Sequence, residues 1–310
     1  MSPLEHPLKH SFAWACTAIC SEECCNENAT TTINTNDNST IDDNCSGKNL
    51  LKSATSKTYV KNDAKNWAIQ YEFGLCIGFQ GEDTVTLGNL IVPKCAVGQV
   101  FEMPPGLANF EYDGLLGLGL STEGKAAPVL YTAEQQKLLK QPIFTVFLNN
   151  TSQGFITYGG LDEKYCSPDV EYVNITSDIW YQFKMDSFSM GAENSSDGWE
   201  VISELNSKKI LAPEAISTQL LQAAGASENG TIDCNATFED LKLIINAKEY
   251  VIPSKYLILK NNNECMFAVG GRNTTNSNWI LGEPFIRSYC NIYGFKDKTI
   301  GFAKAIAQFA

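Results

Sequence analysis

The chain has 310 residues, 44% of them apolar, which is enough for two cores of ordinary domain size and too long for one small domain. A net charge of −12 and a pI near 4.7 argue against nonspecific binding to nucleic acid or to an anionic membrane, both of which require a basic surface. No apolar run approaches membrane-spanning length.

The N-terminus, MSPLEHPLKHSFAW, lacks the apolar core of a secretory signal peptide. Eleven cysteines point the other way, to an oxidising compartment, as do ten glycosylation sequons at Asn28, Asn38, Asn44, Asn149, Asn150, Asn174, Asn194, Asn229, Asn235 and Asn273. The expected location is therefore secreted or lysosomal/endosomal, with two alternatives for the start: a missing leader or a cytosolic chain. From residue 16 to 49 the chain is polar, rich in Asn and Thr, and carries Cys16, Cys20, Cys24, Cys25 and Cys45. This reads as a disulfide-tied loop, because the spacing is no recognised zinc pattern and the chain has only two histidines, His6 and His10.

Beyond it, short alternating or aromatic runs separated by turn residues predict an all-β texture, with strands over 67–71, 83–87, 143–147 and 154–158. Helix signals are few: 132–139, with Thr132 as its cap, and 213–223. Leu115-Leu116-Gly117 and Ile280-Leu281-Gly282 repeat an apolar-apolar-Gly signature about half a chain apart, as two related lobes would. The run VISELNSKKILAP, 201–213, places a lone carboxylate, Glu204, at the end of a strand-like stretch; its local sequence alone favours a surface hairpin with a solvated glutamate. A nucleophilic serine or cysteine site is not supported, since no Gly-x-Ser-x-Gly occurs and both histidines lie in the N-terminal segment.

FEYDGLLGLGL (110–120), FITYGGLDEKYC (155–166) and WILGEPFIRSYCNIYGFKDKTIGFAKA (279–305) together resemble the pepsin-like aspartic peptidases, family A1, of invertebrate or nematode type. The resemblance runs from about Lys57 to the end. It implies an all-β, bilobal pepsin-like (acid protease) fold, two related β-barrel-like lobes around a cleft, with the lobes at 1–163 and 164–310 and the first truncated at its N-terminus. It also implies a flap at 71–85 with Tyr71 at the flap-tyrosine position and Gly74 among the matching glycines, and disulfides Cys234–Cys265 and Cys166–Cys290. An odd number of cysteines remains in the first lobe.

In such enzymes two Asp-Thr/Ser-Gly loops, one per lobe, share a water that attacks the peptide carbonyl. Two close carboxylates hold one proton, so one polarises the carbonyl while the other deprotonates the water. Registered on Val201-Ile202 and Pro213, Glu204 falls on the second Asp, and Leu205, Asn206, Ser207 and Lys208 replace Thr, Gly, Thr and Ser. Registered on Trp14, the first Asp position is Pro7, with no carboxylate. The expectation is a family member with an impaired dyad whose cleft binds a peptide or protein, a monomer without metal or organic cofactor. Two alternatives stand beside it: an active acid endopeptidase with an incomplete N-terminus, and a secreted glycoprotein with a structural or immune-facing role.

Overall fold

The computed structural model describes residues 9–11, 17–20, 48–71, 74–102, 112–120, 126–149, 154–261, 264–272 and 279–306. They are mostly β-strand with few helices, and the chain divides into two compact units, Met1–Leu138 and Leu139–Ala310.

The first unit is built on a six-stranded sheet. Three long antiparallel strands, Val60–Tyr71, Gly74–Leu87 and Leu90–Glu102, form one side of it. Gly78 is required by space: a Cβ there would lie 2.2 Å from the Gln99 carbonyl oxygen and 2.5 Å from the Trp67 ring. Trp67 thus lies flat across the hairpin, its indole N–H donating to the Phe79 carbonyl at 3.1 Å. The strand Gly114–Gly117 runs parallel to Lys9–Ser11 and antiparallel to Thr17–Cys20, which itself runs parallel to 90–102.

The second unit repeats this order. Trp279–Leu281 runs parallel to Trp199–Ser203 and antiparallel to Ile210–Pro213, which runs parallel to Val269–Arg272. The two Leu-Gly signatures therefore mark the central strand of the same four-strand arrangement in each unit. Alternation along these strands buries Val201, Ser203, Ile210, Ala212, Val269, Trp279 and Leu281 on one face and leaves Leu211, Pro213, Gly270, Arg272 and Ile280 half-buried on the other.

The second unit also holds, beside a four-stranded and a three-stranded sheet, a five-stranded antiparallel one. Residues 143–158, assigned to the first lobe from sequence, contribute two of its strands, Ile143–Leu148 and Gly154–Tyr158; the former pairs with Tyr289–Gly294. Cys166–Cys290 joins that central strand to the start of Cys166–Asn174 at the sheet's edge, among Phe147, Ile292 and Ala303. Cys234–Cys265 closes a smaller loop. In the first unit Cys95 is a free, buried thiol that donates to the Val92 carbonyl at 3.4 Å, and burial pushes its pKa up to about 11, which makes it inert near neutrality.

The helices differ in part from expectation. The first spans Val129–Gln135 with Pro128 at its N-cap, three residues ahead of the predicted start, because Pro128 supplies a fixed φ and lacks only a donor that a helix start leaves unused. Thr132 lies inside the helix, not at its cap. The second, Glu214–Ala223, follows Pro213 as predicted. A third, Glu283–Ser288, was not predicted; Pro284 in its first turn was the available signal.

Candidate functional site

The stretch 201–213 is not a hairpin. Its arms, Trp199–Ser203 and Ile210–Pro213, never pair with each other; both flank Trp279–Leu281, and the segment 204–209 crosses over the end of that strand. The local sequence could not reveal this, since the inserted strand lies some seventy residues downstream. The Glu204 N–H donates to the Leu281 carbonyl at 3.0 Å, and the Glu283 N–H donates to the Ser207 carbonyl at 2.8 Å. Ser207 Oγ donates to the Lys209 carbonyl at 2.7 Å, closing the turn. Glu204 is half-buried at the head of this loop, not fully solvated, and Lys208 is exposed.

Behind Glu204 lies a buried polar chain. Ser203 Oγ donates to Asn291 Oδ1 at 3.0 Å and stands 2.8 Å from the Tyr293 hydroxyl. Asn291 Nδ2 donates to the Tyr289 carbonyl at 2.9 Å, so its Oδ1 is left to face Ser203. Since the single Ser203 proton goes to Asn291, Tyr293 must be the donor to Ser203. All three residues are fully buried. Burial pushes the Tyr293 phenol far above its ordinary pKa, and the Glu204 charge adds to the rise.

A phenol whose folded pKa is raised keeps its proton where the unfolded chain would lose it, so its stabilising contribution is complete below about pH 10 and is lost as pH climbs through the folded value. Burial likewise raises Tyr250, to about 12, and Tyr289. Urea unfolding at pH 7, 9.5 and 11 should therefore show stability falling steeply only in the last interval, with a smaller fall for Tyr293→Phe. At pH 7 that variant should lose about 1 kcal/mol, the net worth of one buried hydrogen bond. Parallel losses in both proteins at pH 11 would contradict the assignment of Tyr293 to this titration.

Tyr71 and Gly74 are register partners at the closed end of the hairpin formed by Val60–Tyr71 and Gly74–Leu87. Pro7 lies outside the described residues, as do Asn28, Asn38, Asn44, Asn150 and Asn273. Aligning the two central strands on their Leu-Gly pairs sets Gly117 against Gly282; Ser11, the partner of Gly117, then takes the register position that Glu204 takes in the second unit. Ala18 and Leu211, the antiparallel partners of Leu115 and Ile280, lie the same distance further along in each unit. Asn174, Asn194, Asn229 and Asn235 are exposed, and Asn149 is half-buried. Among the described residues no helix is long and apolar enough to cross a membrane.

A family profile described as eukaryotic aspartyl protease matches residues 30–305. The chain belongs to that family. It is 36% identical to aspartic protease 6 of Caenorhabditis elegans over 290 residues, covering 86% of this chain and 73% of the relative. Aspartic protease 10 of the same organism is 33% identical over 317 residues, 94% of this chain and 72% of the relative. Human gastricsin is 30% identical over 283 residues, 84% of this chain and 72% of the relative. Membership of the aspartyl proteases accounts for the repeated strand order and for an endopeptidase-like ancestry, and the two disulfides suit an oxidising compartment.

Proposed function

We propose that this aspartyl-protease relative binds peptide or protein segments and hydrolyses them poorly or not at all. The observation that carries the reading is the loop Glu204–Lys209, which packs over Leu281-Gly282 yet offers Glu-Leu-Asn-Ser-Lys where the family places Asp-Thr-Gly-Thr-Ser. A glutamate carboxyl extends about 1 Å further than an aspartate's, and misplacement on that scale can cost about a hundredfold in rate. Leu205 has no hydroxyl to hold the turn, and Asn206 adds a side chain where the family has none. Lys208 stands where the family has a serine hydroxyl.

The first-lobe partner is missing on either register. Pro7, chosen from Trp14, and Ser11, chosen from strand pairing, both lack a carboxylate. One carboxylate cannot both polarise a carbonyl and deprotonate a water. The ligand would lie in the family's substrate cleft under the flap 71–85, as the family resemblance implies. The exposed sequons Asn174, Asn194, Asn229 and Asn235 would carry glycan on a secreted or lysosomal monomer.

The test is hydrolysis of a broad-specificity fluorogenic peptide at pH 3 to 6, with polarisation binding of labelled peptides in parallel, for the protein and its Glu204→Ala variant. Binding without turnover is expected. Turnover that disappears in Glu204→Ala would establish a working enzyme and overturn the proposal.

A further inference from the structure

The half-buried face of the strand Val269–Arg272 holds two cations that meet no counter-charge among the described residues. By register, Leu211 pairs with Gly270 and Pro213 with Arg272, so residues 209, 211, 270 and 272 share one face. The Lys209 stem crosses this face above Gly270: a Cβ placed on Gly270 would sit 3.8 Å from Lys209 Cδ and 3.3 Å from Leu211 Cδ2. Arg272 rises from the same face about 6.5 Å along the strand. Its Nη1 is buried and has no hydrogen-bond partner among the described residues.

A buried guanidinium nitrogen without an acceptor is costly, and native proteins rarely leave one so. The chain does not lack acid, since its net charge is −12. Yet among the described residues neither Lys209 nor Arg272 enters an ion pair. The Glu214 carboxylate approaches the neighbouring Gly271, where a Cβ would meet its Oε2 at 2.4 Å. Successive residues of a strand face opposite ways, so Glu214 lies on the other side. Glycine at 270 leaves room for the Lys209 stem and for Leu211, which with its register partner Ile280 makes an apolar floor beside the two cations.

We propose that Lys209, Gly270 and Arg272 form a carboxylate subsite that selects peptides carrying a glutamate or aspartate side chain. The guanidinium fork matches a carboxylate bidentately, the lysine adds a point charge, and the apolar floor accepts the methylene stem. The subsite begins at the end of the Glu204 loop, at Lys209. This rests on the peptide-binding reading above and names which peptides that reading concerns.

The test uses two fluorescein-labelled octapeptide pools, random except for a fixed Glu or a fixed Gln at the fourth position. Polarisation is measured at pH 7 against the protein and its Lys209→Met, Arg272→Met and Arg272→Lys variants, each checked for an unchanged melting curve. The Glu pool should bind about tenfold or more tightly than the Gln pool, as expected when a charged acceptor replaces a neutral one. The ratio should fall toward one in Arg272→Met and Lys209→Met and be partly restored in Arg272→Lys. Equal binding of the two pools to the parent protein, or a ratio that survives both Met variants, overturns the subsite while leaving peptide binding standing. Binding of neither pool overturns the peptide-binding reading and the subsite with it.

Discussion

Replacing Cys166 and Cys290 together by alanine is expected to lower the stability of the protein by about 4–5 kcal/mol, because the bridge closes a loop that an unfolded chain would otherwise explore freely. The two cysteines are 124 residues apart, against 31 for Cys234–Cys265. Loop closure alone predicts that removing the longer bridge costs about 1 kcal/mol more than removing the shorter one. Packing adds to the difference. Cys166 and Cys290 are both fully buried beside Phe147, Ile292 and Ala303, so the alanines leave a void where the sulfurs stood. In a unit of this size each kcal/mol is worth about 2–4 °C of melting temperature, so the double variant should melt roughly 10 °C or more below the parent. Calorimetry of the two paired variants, with reduced parent protein as reference, measures both quantities. Equal losses from the two bridges would mean that neither chain closure nor the buried cluster sets the scale.

Much of this fold could be read locally. The strands predicted at 154–158 and 143–147 appear almost where their alternation put them, and Pro213 starts a helix because the following residues favour one. The bridges Cys166–Cys290 and Cys234–Cys265 stand as the family resemblance paired them. Apart from the start of the first helix and the missed third one, what failed depended on a distant partner. Nothing between Ser203 and Ile210 announces that Trp279–Leu281 will slot between the two arms, so a hairpin was the better local guess. Ser203 drew no expectation from the sequence. Its role as a buried relay emerges only when Tyr293 and Asn291, some ninety residues on, are brought against it. For the first-lobe position, a single landmark, Trp14, led to Pro7, whereas strand pairing leads to Ser11. The two answers differ in register and agree in chemistry, since neither residue carries a carboxyl group.

The Glu204 loop depends most directly on Gly282, and Gly282→Ala is expected to destabilise the second unit by about 3 kcal/mol or more, at the upper end of the cost of overpacking. The backbone of Gly282 has φ −91° and ψ −152°, which needs no special freedom; the constraint is space. A Cβ on it would meet the Ser207 carbonyl oxygen at 2.2 Å and the Lys209 carbonyl oxygen at 2.3 Å. Both are main-chain atoms of the crossing loop, so no side chain can swing aside to relieve the contact. Either the loop lifts, breaking the bond from the Glu283 N–H to the Ser207 carbonyl, or the strand carrying Leu281 withdraws and loses the Glu204 N–H. Both routes displace Glu204 and Lys209. Peptide binding should therefore fall further than the loss of folded protein accounts for. Gly160→Ala, at a position where a Cβ would meet nothing within 4 Å, serves as the control and should leave both properties unchanged. Denaturant titration and peptide polarisation on the same samples separate the two effects. If Gly282→Ala loses stability while its folded fraction binds peptide as the parent does, the loop 204–209 shapes the fold and has no part in holding the ligand.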